Sequence, residues 1–287
     1  MSAAPQERPV LTPGAFLVRG LAAGLVAGIL AFLVAFAFGE PYVDDAIALE
    51  EAAAVTEQAD KADGADRSDE SRSDKPSDAD HEHDEAAADE GVEISRDNQR
   101  SWGLLTGTLA IGIALGGLTS LAVAAVVGRL GNLSARGSTA LVALIGFVAV
   151  ALVPFAKYPA TPPAVGSGET IGGRTASYFA LLLVSVLAAI AAVVIANRLR
   201  ARLDGWTAAT VAAVGYVVVV SVVAWLLPSV NEVGAFPADT LWYFRRSSLL
   251  VLATLWAGIG IVLVALVGRL HDRVTADLQR RALAASL

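Results

Sequence analysis

The sequence predicts an all-α polytopic membrane protein: about six transmembrane helices and one long, acidic, disordered extracytoplasmic loop. Three observations carry this. First, six apolar stretches run Phe16–Phe38, Gly103–Val127, Ser138–Phe155, Ala176–Ala196, Thr207–Leu227 and Ser247–Val267, roughly half the chain. A bilayer core about 30 Å thick needs ~20 helical residues at ~1.5 Å each. They hold no Asp, Glu, Lys or His, and Arg19 lies in the first turn of the first one. One 287-residue domain could not bury them all. Second, the hydrophobic fraction is 55% and the mean hydropathy +0.59, both high for a soluble domain. Third, charge is segregated. Residues 40–102 hold 21 acidic and 6 basic residues, and the rest of the chain holds 7 and 15.

Taken in order, residues 1–15 are expected to form a short cytoplasmic N-terminus and 16–38 the first helix. Ala35-Phe36-Ala37 resembles a signal-peptidase site. The 23-residue apolar run is longer than a signal h-region, however, and Gly20, Gly24 and Gly28 form a small-residue stripe suited to close helix packing. The reading is a retained helix.

Residues 39–102 are the acidic loop. Glu40–Glu51 reads as a short acidic helix with Pro41 in its first turn. Thr56–Glu90 is rich in Asp, Ser and Ala, with almost no large apolar residue, and is expected to be disordered. Ser95 reads as the cap that starts the second span. Within the disordered part, His81 and His83 stand among Asp80, Glu82, Asp84 and Glu85. Imidazole nitrogen with carboxylate oxygen suits borderline divalent ions such as Co²⁺, Ni²⁺ and Zn²⁺. The competing reading is a solvated acidic linker in which two histidines fell together.

Residues 103–268 hold the other five helices and two proline-rich loops. Gly103/Gly107 and Gly112/Gly116 repeat the small-residue spacing. Four prolines between Pro154 and Pro163 predict a rigid loop that ends the third span, and Pro228–Asp239 does the same after the fifth. Lys157 and Glu232 are then expected on one face at similar depth, either paired or each lining an opening. Irregular backbone there needs protein or a water-filled cavity over it, which makes this outer mouth a candidate site. Its candidate residues are Glu40, Asp44, Asp45, Lys157, Tyr158, Asn231, Glu232 and Asp239. Residues 269–287 form a cytoplasmic tail, in which His271 reads as a solvated surface residue.

Lys and Arg near the spans set orientation. The N-terminus, the loops at 128–137 and 197–206 and the C-terminus carry 11, against 4 at the opposite ends outside the acidic loop. Both termini are therefore expected to be cytoplasmic. Trp102, Tyr158, Tyr178, Trp206, Trp242 and Tyr243 near the span ends suit an aromatic belt.

Cysteine is absent, so disulfides, thiolate metal sites and a nucleophilic Cys are excluded. No Gly-x-x-x-x-Gly-Lys-Ser/Thr, His-Glu-x-x-His or Gly-x-Ser-x-Gly occurs, and no basic, aromatic nucleic-acid face. The chain is expected to be no enzyme, to hold no permanent cofactor and to bind no nucleic acid.

Five segments carry a family likeness: Gly39-Glu40-Pro41-x-Val43-Asp44-x-Ala46-Ile47-Ala48-Leu49-Glu50; Ser95-Arg96-x-x-Gln99-Arg100 with Gly103-Leu104-Leu105-Thr106; Pro154-Phe155-x-Lys157-Tyr158-Pro159-x-x-Pro162-Pro163-Ala164-Val165; Thr170-Ile171-Gly172-x-Arg174-Thr175; and Asn231-Glu232-Val233-x-x-Phe236-Pro237-Ala238-Asp239-x-Leu241-Trp242. In these the chain resembles the predicted cobalt transporter family of the CbtA type. The resemblance implies a membrane subunit for Co²⁺ uptake feeding cobalamin synthesis, with a small one-span His-rich partner, in the cytoplasmic membrane of a prokaryote. The family is described with about five spans, and six are counted here. On this reading the acidic loop concentrates cations, and His81 and His83, with Glu82, Asp84 and Glu85, favour Co²⁺ over Ca²⁺. The alternatives are a metal-capturing membrane sensor or chaperone, and a scaffold for other membrane proteins. The spans offer only hydroxyls to an ion, among them Thr106, Thr119, Ser120, Ser185, Tyr216 and Thr254.

Overall fold

The computed structural model describes residues 11–69, 95–131, 133–166 and 168–286, and these form helices and loops with no strand. In chain order the helices are α1 (Pro13–Phe38), α2 (Glu40–Asp69), α3 (Arg96–Val126), α4 (Ala135–Lys157), α5 (Ile171–Leu199), α6 (Gly205–Leu226) and α7 (Ala238–Ala285). All but α2 are long and apolar enough to cross a membrane.

Short polar side chains start several of them. Thr12 Oγ1 accepts from the Ala15 amide, Ser134 Oγ from Gly137 and Asp204 Oδ2 from Thr207, each satisfying an orphan donor of a first turn. The Thr207 hydroxyl, and then its amide, hold the Asp204 carboxyl below its ordinary range. Ser95 caps α3 as expected, and a turn of π-helix at Gln99–Gly103 follows.

Only Gly39 separates α1 from α2. Pro41 lacks the N–H that would bond the Ala37 carbonyl, and its ring crowds that oxygen, so the ladder breaks there. Beyond the break α2 continues to Asp69, well past Glu51. Thr56–Asp69, expected to lack structure, is therefore helical; its run of alanines interspersed with Glu, Gln and Lys has high helix propensity. Residues 70–94 lie outside the described residues, and with them His81, Glu82, His83, Asp84 and Glu85.

α1 is the hub. Its buried residues are almost all small: Gly20, Ala23, Gly24, Ala27, Gly28, Ala31 and Ala35. It packs most extensively against α3 and next against α7. A Cβ on Gly24 would collide with the Gly112 carbonyl, and one on Gly116 with the Gly20 carbonyl. The two backbones are therefore in direct contact, as small-residue stripes allow. Gly103 and Gly107 take no part in this seam. On the side facing α7, Ala27 and Ala31 meet Leu255 and Ile259, and nearer the other end Phe16, Ala23 and Val123 meet Leu263, Val267 and Leu270.

α4 joins this core through α7, with the Trp256 ring seated where a Cβ on Gly146 would lie. Pro154, expected to end this span, instead lies buried within the helix, which continues to Lys157. A π-helical segment at Phe147–Leu152 makes room: the Val153 amide bonds back to the Val148 carbonyl, five residues away. In that register Pro154 would have to donate to Ala149 but has no N–H. The Ser185 hydroxyl, from α5, donates to the Ala149 carbonyl instead, at 2.8 Å. Since Ser185 spends its proton there, the Tyr216 hydroxyl of α6, also 2.8 Å away, donates to Ser185. This relay ties the α5–α6 hairpin to α4.

Loops and helix ends gather at two poles. The proline-loop end holds the α1–α2 junction, the start of α3 and the segments 158–170 and 227–237. The arginine end holds the segments 127–134 and 200–204 and the C-terminal half of α7. α7 is 48 residues long, or ~70 Å at ~1.5 Å per residue, and extends beyond Ser247–Val267 at both ends.

Gly24→Leu should force α1 from α3 and lower stability by more than about 3 kcal/mol in thermal unfolding of detergent-purified protein. Gly107→Ala, facing open space, should be neutral or stabilising by up to ~1 kcal/mol. Ser185→Ala should cost about 1 kcal/mol in the native chain. In a Pro154→Ala background, where the missing N–H returns, that cost should fall close to zero.

Candidate functional site

The charged side chains of the proline-loop end fall into two clusters. In the first, Glu40 and Asp44 stand one helical turn apart on α2, and Arg96 and Arg100 one turn apart at the start of α3. The Arg96 guanidinium bonds Glu40 and also Asp44 Oδ1, the latter at 2.8 and 3.1 Å. Arg100 Nη1 lies 3.5 Å from Asp44 Oδ2 and its guanidinium 5.1 Å from the Phe36 ring centre. The Glu40 side chain is only 8% exposed, and Arg96 is the cation that faces it. Two carboxylates face two guanidiniums, and the cluster is neutral. Asp45, on the same helix, is exposed and makes no hydrogen bond or ion pair among the described residues.

The second cluster ties the two proline loops together. Lys157 Nζ donates to Ser229 Oγ at 3.2 Å, and the Tyr158 hydroxyl to the Pro228 carbonyl at 2.9 Å. Glu232 accepts from Thr170 Oγ1 at 2.9 Å and lies 3.5 Å from Arg174 Nη1. Of the two arrangements open to Lys157 and Glu232, direct pairing is not made: Arg174, in the first turn of α5, lies against the carboxylate instead. The same guanidinium lies over Gly166, whose φ of +108° and lack of a Cβ give it room. Asn231 is exposed, and Asp239 accepts from the Thr240 amide at the start of α7.

Of the residues singled out in the sequence, Glu40 and Asp44 come together, and so do the loops bearing Lys157, Tyr158 and Glu232. Arg96, Arg100, Thr170, Arg174 and Ser229 complete these clusters and were not singled out as site residues. Two of them were detectable: acids at 40 and 44 and arginines at 96 and 100 share the four-residue helical spacing and have opposite sign. Among the described residues no group of three His, Cys, Asp or Glu side chains could hold a metal ion.

Six apolar helices, α1 among them as the glycine-packed hub, with charge confined to the two ends, define a multi-pass membrane protein. The family model described as probable cobalt transporter subunit (CbtA) matches residues 14–268, and the chain belongs to that family. No curated protein and no solved structure matches it.

Arg96→Met should destabilise the protein by about 2 kcal/mol, less than the ~3–5 of a fully buried pair because Arg96 is partly exposed. Adding Glu40→Gln should recover most of that loss in the same melting experiment. If the two changes simply add, Glu40 does not depend on Arg96.

Proposed function

We propose that the chain is the membrane subunit of a Co²⁺ uptake system that feeds cobalamin synthesis and works with a small one-span, His-rich subunit. The observation that carries this reading is the match to the cobalt transporter family over nearly the whole chain. The charge distribution agrees with it: the acidic segment 40–102 is joined to the proline-loop end, opposite the arginine end. With both termini cytoplasmic, as the arginine asymmetry favours, that segment faces outward in the cytoplasmic membrane. Cations gather on its carboxylates. His81, Glu82, His83, Asp84 and Glu85 capture borderline metals and release them as the imidazoles protonate.

At the mouth Glu40, Asp44 and Glu232 hold guanidiniums in the resting state. A divalent ion arriving there competes with Arg96 and Arg174 for these oxygens, so the arginines act as built-in counter-ions. Asp45, Asn231 and Asp239 add exposed oxygens beside them, and Lys157 with Tyr158 holds the loops in place. Transport inward needs no nucleotide: two charges crossing about −100 mV gain about 4.6 kcal/mol, roughly three decades of accumulation.

Cells or proteoliposomes carrying the chain with its partner subunit should accumulate labelled Co²⁺ in proportion to membrane potential. Glu232→Gln should cut uptake at least about tenfold if that carboxylate handles the cation. His81→Ala with His83→Ala should raise the Co²⁺ concentration needed for half-maximal uptake. A cytoplasm-only reporter inserted at Ser73 should stay silent. Binding without uptake would favour the sensor or chaperone reading, and normal uptake by Glu232→Gln would remove the mouth from the pathway.

A further inference from the structure

Two adjoining cavities at the arginine end share Leu130 and Arg200. The first, about 320 Å³, is a half-open slot between α4, α5 and α6 whose walls include Leu144, Val148, Ala189 and Ala213. Its lining is apolar except for Tyr216 at the deep end and Asn197 and Arg200 at the shallow end. Along α5, from Ala189 to Arg200, it extends ~16 Å. The second cavity, about 410 Å³, is walled by Leu130, Gly131, Leu133, Arg200 and Gly205.

Arg200 stands at the junction. Its Nε is buried without a hydrogen-bond partner, and its guanidinium makes no ion pair among the described residues. It lies over Gly131, whose φ is +66° and where a Cβ would strike Nη1. The one carboxylate close in sequence, Asp204, is committed to capping α6. A guanidinium N–H buried without an acceptor is costly, and the planar fork of the half-buried Arg200 matches a phosphate.

The shape narrows the ligand. A free phosphate would satisfy Arg200 but leave the apolar slot empty, and an uncharged hydrocarbon would fill the slot but leave Arg200 unpaired. A molecule with an anionic phosphodiester at one end and a hydrocarbon chain at the other satisfies both. We propose that the slot holds one anionic phospholipid from the adjacent leaflet, with an acyl chain between α4, α5 and α6, the phosphate on Arg200 and the headgroup in the glycine-walled vestibule. Basic pockets between spanning helices take anionic headgroups by this combination of charge and fit. Because the Tyr216 hydroxyl already donates to Ser185, the deep end of the slot asks no hydrogen bond of the chain. The site is independent of metal transport and of membrane orientation.

The test uses the full chain, purified in detergent, stripped of lipid and offered phosphatidylglycerol or phosphatidylcholine, with bound lipid counted by native mass spectrometry. One phosphatidylglycerol per chain is expected, held about tenfold more tightly than phosphatidylcholine. Arg200→Gln should erase that preference and leave chain binding in place. Ala213→Phe, at an exposed wall position, should block both lipids. Arg198→Gln, on the exposed surface beside the site, should change neither. Inorganic phosphate at equal concentration should not compete. An undiminished preference in Arg200→Gln, retained lipid in Ala213→Phe, equal loss in Arg198→Gln or competition by phosphate would each overturn the proposal. Should Arg200→Gln not fold, the Ala213→Phe and phosphate arms decide it alone.

Discussion

The fold depends on the bare backbone contact between α1 and α3. In hydrocarbon, apolar side chains gain little by leaving lipid for one another, so helices associate where their shapes let them approach closely. Gly20, Gly24 and Gly28 against Gly112 and Gly116 provide that approach. α7 then closes over the small face of α1, α4 hooks α7 through Trp256 and Gly146, and α5 with α6 hangs from the π segment of α4. Remove the glycine seam and the α1–α2 junction moves, carrying Glu40 and Asp44 away from Arg96 and Arg100. Packing at mid-membrane and charge pairing at the pole are thus one construction.

A second theme is how the chain satisfies polar groups where water is scarce. Pro154 removes an N–H inside a span, and the helix widens by one residue to keep going. The Ala149 carbonyl exposed by that change becomes the attachment point for another helix. A residue that breaks a helix in water becomes a tie between three helices in a membrane, because an orphan carbonyl there must find a donor. Arg96 likewise supplies the hydrogen-bond donor that the buried Glu40 carboxylate meets.

The six spans were legible because each is defined by composition and length, two properties that read directly from sequence. The glycine stripe was legible as well, since a four-residue period of small residues has one obvious use in a bilayer. The partners were not. Lys157 and Glu232 share a pole, but which cation reaches Glu232 depends on how α5 enters the bundle, and Arg174 is nearer by virtue of that entrance. Pro154 misled for a similar reason: a breaker ends a helix only if the ladder cannot shift register, and register is decided by the neighbours. α2 runs well past the short acidic helix expected, because an alanine-rich acidic run has its own helical preference even where large apolar residues are sparse. The tract around His81 and His83 has no packing partner in its pattern, so sequence could assign it chemistry but no place.

α7 has no proline and no break over its 48 residues. At one pole Tyr243 stacks on Tyr42 of the acidic helix, with ring centres 5.6 Å apart, and at the other Asp272 pairs with Arg136 of α4 at 2.6 Å. A continuous helix of this length is stiff, so a tilt about its contact with the small face of α1 would carry both of its ends together. A tilt of ~5° about that contact would sweep each tip by ~3 Å, taking half the ~70 Å length as the arm. A push on the acidic helix on one side of the membrane would therefore be delivered on the opposite side as a displacement of the tail, with no ion having crossed.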